Sequence, residues 1–206
     1  MKKNFKRLLA LALVFTLAFS LFAGTAYKGK TVILHSNDVH GAIAGYSYIS
    51  ELKKDFEKEG ATVVMVDAGD FSQGTTYVST TKGLDAITMM NAAGYDLATL
   101  GNHEFDYGYA QLKENISKAN FTVLCADVFD ENGSPIYSSG AIVTIGDLKI
   151  GFFGLETPEA QTKANPALIK GLKFVSGEKL YKQTQAVIDT LKEKGAQLII
   201  GITHLG

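Results

Sequence analysis

The run Thr62-Val-Val-Met-Val66 is apolar at nearly every position and does not alternate, so no face of it is marked for water. A strand of that kind is buried on both sides, which a parallel sheet covered by other elements provides. Further apolar runs recur at Thr31–Ser36, Tyr95–Leu100, Phe121–Ala126 and Gln197–Thr203. Helical spacing fills the intervals between them. Tyr48, Ile49, Leu52 and Phe56 fall on one face, opposite Glu51, Lys53, Lys54, Glu57 and Lys58, and Gly60 closes that helix. Leu84–Ala93 turns Leu84, Ile87, Met89 and Met90 inward, and Tyr107–Ala119 does the same with Leu112, Ile116 and Ala119. Ser176 opens a helix to Lys194 with a stripe of Leu180, Val187, Ile188 and Leu191. Gly146-Asp147, between Ala141–Ile145 and Lys149–Leu155, is a two-residue hairpin signal. Thr157–Lys170 holds two prolines and little pattern, and reads as a surface loop. No repeat or linker interrupts the series. One α/β domain with a largely parallel, buried sheet is the expected fold.

Four of these runs end in polar residues able to do chemistry. The first delivers Asp38 and His40, the second Asp70, the third Asn102, His103 and Asp106, and the last His204. Strand C-terminal edges are where open α/β sheets place their ligands. Carboxylate, imidazole and amide oxygen without thiolate make a mixed N/O donor set, suited to Zn²⁺, Mn²⁺, Fe or Co²⁺. In Asp38-Val-His40, residues i and i+2 of an extended turn point the same way and can reach one cation. Asp70 can bridge two ions about 3.5–4 Å apart, leaving Asp38 and His40 for one and Asn102 and His204 for the other. His103 can give or take a proton near neutral pH, with Asp106 three residues on to orient it. His35, inside the first strand, reads as a hydrogen-bonded core or packing residue, and Glu104 as a solvated or helix-start carboxylate.

The N-terminus is of another kind. Lys2, Lys3, Lys6 and Arg7 precede an apolar run from Leu8 to Ala23, and the small residues Gly24 and Ala26 follow. This is the pattern of a secretory signal peptide cleaved after Ala26, and its apolar run is shorter than the roughly 18–20 residues of a membrane span. Cleavage removes four basic residues and takes the net charge from −1 to −5. A mildly acidic, exported product offers no electrostatic footprint for nucleic acid or for an anionic membrane. Cys125, the single cysteine, lies in an apolar run and reads as a small core residue. No Gly-x-Gly-x-x-Gly follows the first strand, which argues against a dinucleotide-binding domain.

Five segments carry a resemblance. Ile33-Leu-His-Ser-Asn-Asp-Val-His-Gly41, Asp67-Ala-Gly-Asp70, Leu100-Gly-Asn-His-Glu-Phe-Asp-Tyr-Gly108, Gly151-Phe-Phe-Gly-Leu155 and Ile202-Thr-His-Leu-Gly206 resemble, in order and spacing, the catalytic domain of bacterial secreted 5′-nucleotidases, of the calcineurin-like metallophosphoesterase superfamily. The resemblance covers residues 30–206. It implies a four-layer α-β-β-α sandwich, metal ligation by Asp38, His40, Asp70, Asn102 and His204, and a catalytic pair of His103 and Asp106. It implies two divalent ions (Zn, Mn, Co or similar) and hydrolysis of a nucleotide phosphate ester, as a 5′-nucleotidase or a 2′,3′-cyclic nucleotide phosphodiesterase. The family's later Gly-His-x-His or Gly-His-x-Gln motif and its C-terminal nucleoside-binding domain do not occur in these residues. The expectation is therefore an N-terminal catalytic portion, incomplete at its last ligands. The competing reading is a metal-binding fragment without turnover.

Overall fold

The apolar runs become strands in two sheets. The computed structural model describes residues 26–205, so the signal-peptide reading lies outside the described residues. Strands β1 (Thr31–Ser36), β2 (Thr62–Asp67), β3 (Leu97–Ala98) and β4 (Thr122–Val123) pair in that order, all parallel. Strands β6 (Gly140–Ile145) and β7 (Leu148–Leu155) form the hairpin expected at Gly146-Asp147, with Gly146 at φ +58°, and β9 (Leu198–Thr203) adds parallel to β7. A small antiparallel pair, β5 (Val128–Phe129) and β8 (Lys173–Phe174), was not foreseen from the sequence.

The two-residue period of the strands sorts their side chains into three apolar seams. Met65 of β2 faces helices α1 (Ile43–Lys58), α3 (Leu84–Ala93) and α4 (Tyr109–Ile116), packing with Tyr46, Ile87, Met90 and Leu112. Val64 and Val66 face the other way and meet Ile150, Phe152 and Ile202 of the second sheet. Phe153 and Leu155 of β7 then turn outward onto Leu180, Val187 and Leu191 of α6 (Gly177–Glu193). Helices, sheet, sheet and helix are thus stacked in the expected four-layer sandwich. Cys125 is buried in the first seam.

Several expectations change. The third and fourth strands are two residues each: after Ala98 the chain runs on to the turn that carries Asn102 and His103, and after Val123 it crosses to the second sheet, where Ala126 N–H bonds Gly154 O at 2.9 Å. Helix α1 keeps Ile49 and Phe56 of its expected stripe on the inner face but not the other two. Tyr48 and Leu52 are exposed, while Tyr46 is buried and Lys53 reaches inward to donate to Gly94 O at 2.6 Å. Half of the expected stripe thus holds, and Lys53 takes the place expected of Leu52 because a lysine stem can cover apolar surface as a leucine does. The His35 side chain is exposed and makes no hydrogen bond among the described residues: β1 is the edge of its sheet, and there His35 pairs through its backbone only, opposite Val66. Within Thr157–Lys170 the chain forms a short helix α5 (Ala160–Lys163), anchored by the buried Ala160 and Ala164. A sixth helix, α2 (Thr76–Thr80), precedes α3.

Candidate active site

Parallel strands bring their C-terminal ends to one edge, and the two sheets bring their edges together. Asp38 and His40 follow β1, Asp70 follows β2, Asn102 and His103 form a 3₁₀ turn after β3, and His204 follows β9. All six line one cleft of about 490 Å³, together with Asn37, Thr157, Glu159, Lys163, Thr203 and Leu205. The backbone is bent hard to do this. Four described non-glycine residues have positive φ, and three of them are Asp38 (53°), His40 (46°) and Asp70 (60°). Such left-handed conformations cost energy and concentrate where side chains must be aimed at a function.

Asp70 stands at the middle. Its Oδ2 lies 3.3 Å from His204 Nε2 and 3.7 Å from His40 Nε2, and its Oδ1 accepts the His103 N–H at 2.9 Å. Asp38 Oδ1 lies 3.4 Å from His40 Nε2. The ligand atoms of Asp38, Asp70 and His204 fall within 4.8 Å of one another, as do those of His40, Asp70 and His103. Asp70 is common to both groups. The side chains as they stand put His204 with Asp38 and His40 with His103, whereas spacing alone suggested the pairs Asp38 with His40 and Asn102 with His204. Asn102 is buried in the cleft wall.

The imidazoles are oriented from behind. His204 Nδ1 faces Ala68 O at 2.9 Å, and since a carbonyl only accepts, that nitrogen carries the proton and Nε2 points to Asp70. This is how metal-binding histidines are commonly fixed. The bond from Asp70 raises His204 to about 9. Burial pushes the Asp70 carboxyl up, but His204 and the His103 N–H outweigh it and hold Asp70 below the usual range. His103 Nδ1 meets Asp106 Oδ2 at 2.7 Å, leaving Nε2 free, and its ring stands edge-on to His40 at 5.2 Å. Beneath the cleft, burial lifts Asp67 to about 7, although the Ser36 hydroxyl donates to it at 2.5 Å.

Glu104 is not a solvated carboxylate. It is buried, and it accepts four backbone N–H groups: Gly101 at 2.6 Å and Asp70 at 2.8 Å on Oε2, Phe71 and Ser72 at 3.0 Å each on Oε1. The side chain folds back over its own turn and ties the loop that carries Asp70 to the turn that carries His103. Burial and the charge of Asp70 push this carboxyl up, while the N–H donors pull it down. The glycines serve the same junction. A Cβ on Gly101 would collide with Asp70 Oδ1, and Gly69, at φ +98°, passes against the Gly101 backbone.

Sequence reasoning also missed Asn37, whose Oδ1 lies 3.2 Å from His204 Nδ1 and whose amide donates to Asp38. Its place in the first strand-end cluster was the available signal. Thr157, Glu159 and Lys163 lay in a stretch read as a loop and carried no signal.

The family model of the calcineurin-like phosphoesterases matches residues 31–206. The silent protein UshA(0) of Salmonella typhimurium is 30% identical over 221 residues, covering 99% of this chain and 40% of its own length. A 5′-nucleotidase of Vibrio cholerae is 31% identical over 190 residues, covering 86% of this chain and 34% of its own. The solved structure of a 5′-nucleotidase precursor from Thermus thermophilus superposes with a TM-score of 0.72 at 28% identity, over 84% of this chain and 37% of the other. The chain therefore spans 40% or less of the length of these relatives. A match running from the first strand to the end of the chain, on a fold and a strand-end cluster of this form, establishes that the chain belongs to the calcineurin-like phosphoesterase family.

Proposed function

We propose that this chain is the catalytic portion of a secreted, dinuclear-metal phosphoesterase that hydrolyses nucleotide phosphate esters, as a 5′-nucleotidase or a 2′,3′-cyclic nucleotide phosphodiesterase. One observation carries the reading: two groups of ligand atoms share the single buried carboxylate of Asp70. Asp38, His40, Asp70, Asn102 and His204 would hold two divalent cations, Zn²⁺, Mn²⁺ or Co²⁺. Their chemistry suits this role, being mixed N/O donors with His204 already braced through Nδ1. Bound cations supply Lewis acidity and a water of lowered pKa for in-line attack on phosphorus.

The protein's own groups do the rest. His103, its Nδ1 held by Asp106, presents Nε2 to the cleft and donates to the leaving oxygen as charge develops there. Asp106 fixes the tautomer and the orientation of the ring. Glu104 keeps Asp70 and His103 in register through the four N–H bonds it receives. Nucleoside selection belongs to a further domain like those that make the relatives longer.

The test is metal stoichiometry on the purified full chain beside Asp70→Ala, with phosphate release from a nucleoside 5′-monophosphate. Two ions per chain, lost together in Asp70→Ala, support the dinuclear centre. One ion, or an Asp70→Ala variant that keeps both, overturns it. Metal without phosphate release favours the binding-fragment reading.

A further inference from the structure

The cleft is walled by acids, imidazoles and amides, and among its described lining residues Lys163 is the one lysine or arginine. Lys163 ends helix α5, whose buried Ala160 and Ala164 pin it to the core. Thr157 fixes the approach, its carbonyl accepting the Ala160 N–H at 3.1 Å and its hydroxyl the Glu159 N–H at 3.3 Å. The platform under Lys163 is thus tied to the core, while the lysine side chain is half exposed. At present it bonds Glu159 Oε2 at 2.6 Å, and Asp70 contributes to its field. With cations held by the residues of the floor, the one ammonium on the wall would complete a cradle with positive charge from two directions, which suits a tetrahedral anion.

We propose that Lys163 is a phosphate-binding residue of this cleft, its ammonium closing on phosphoryl oxygens of the substrate while Glu159 holds it aside until an anion enters. The proposal rests on the phosphoesterase reading. Glu159 competes with the phosphate for one ammonium, so weakening Glu159 strengthens phosphate binding. A lysine held only as a helix-stabilising i,i+4 partner would have no such effect.

The experiment is calorimetric titration of inorganic phosphate into the Mn²⁺-loaded full chain, comparing wild type with Lys163→Met, Lys163→Arg and Glu159→Gln. Lys163→Met should raise the phosphate Kd by roughly five- to tenfold and flatten its dependence on salt, as loss of one charge-assisted contact requires. Lys163→Arg should restore most of the affinity, and Glu159→Gln should lower the Kd below that of wild type. Metal content and melting temperature should not change in Lys163→Met. Equal phosphate Kd in wild type and Lys163→Met, at equal metal content, overturns the assignment. Phosphate binding that depends on Lys163 in a protein that releases no phosphate from nucleotides refutes the activity and leaves Lys163 standing. Nucleotide hydrolysis unaffected by Lys163→Met refutes Lys163 alone.

Discussion

Replacing Glu104 by Gln exchanges one acceptor oxygen for an amine while changing almost no volume. The carboxylate receives two N–H groups on each oxygen, Gly101 and Asp70 on one, Phe71 and Ser72 on the other. A glutamine oxygen can serve one pair. Its NH₂ then points at the other two donors, which are buried and have nowhere else to go. Each buried donor left unpaired costs about 1–3 kcal/mol, so the pair costs roughly 2–6 kcal/mol. Domains of this kind are stable by only about 5–15 kcal/mol in all. With a urea slope near 2 kcal/mol per molar, the unfolding midpoint should fall by about 1–3 M, read by circular dichroism. Metal content should fall with it even in the absence of urea. Asp70 sits at φ +60°, a conformation its loop holds because Glu104 ties both ends of the junction. A Glu104→Gln protein with an unchanged midpoint and full metal content would refute this account. Neutral amide and charged carboxylate would then be equivalent there, and the four bonds would not set the loop.

His103→Ala should cut turnover strongly and leave metal content nearly intact, as measured by phosphate release and elemental analysis on the same sample. Loss of an ion would instead make His103 a ligand, as its grouping with His40 and Asp70 permits. Glu156 supplies a pH dependence. Its two carboxyl oxygens are buried without a partner, and burial, with Asp127 beside it, pushes it up to about 10. A carboxyl raised in the folded state favours folding fully only below its unfolded value of about 4.5, and that contribution is lost as pH climbs towards 10. The melting temperature of the metal-free protein should therefore fall across this window. Glu156→Gln should flatten the fall and be the more stable form at pH 8. A Glu156→Gln profile parallel to wild type would show that the carboxyl ionises freely.

Much of this protein was legible in its sequence because the signals were local. Continuous apolar runs report burial on both faces, and those of β1, β2, β7 and β9 became strands, with β6 and β7 paired in the expected hairpin. Gly146-Asp147 needed only a left-handed glycine to make its turn. Asp38, His40, Asp70, Asn102, His103 and His204 of the cleft were found from strand-end position, since side chains that follow parallel strands are gathered at one edge whatever the order of the sheet.

What the sequence left undetermined depends on partners distant along the chain. Tyr48 and Leu52 fit the helical period of α1 as well as its buried residues do, and only docking against α3 and β2 selects the face with Tyr46 and Lys53. His35 has the setting of a core residue until the edge position of β1 leaves it in water. Glu104 looks like any acidic residue at a helix start, yet three of its four donors lie 32–34 positions away, and their convergence turns a surface residue into the tie beneath the site. Lys163 enters the cleft only because two alanines pin a four-residue helix against the core. Period, turn chemistry and strand-end placement are written locally. Burial of a charge, the aim of a ring and the wall of a cleft are set by which surfaces meet, and those were decided when the two sheets closed on each other.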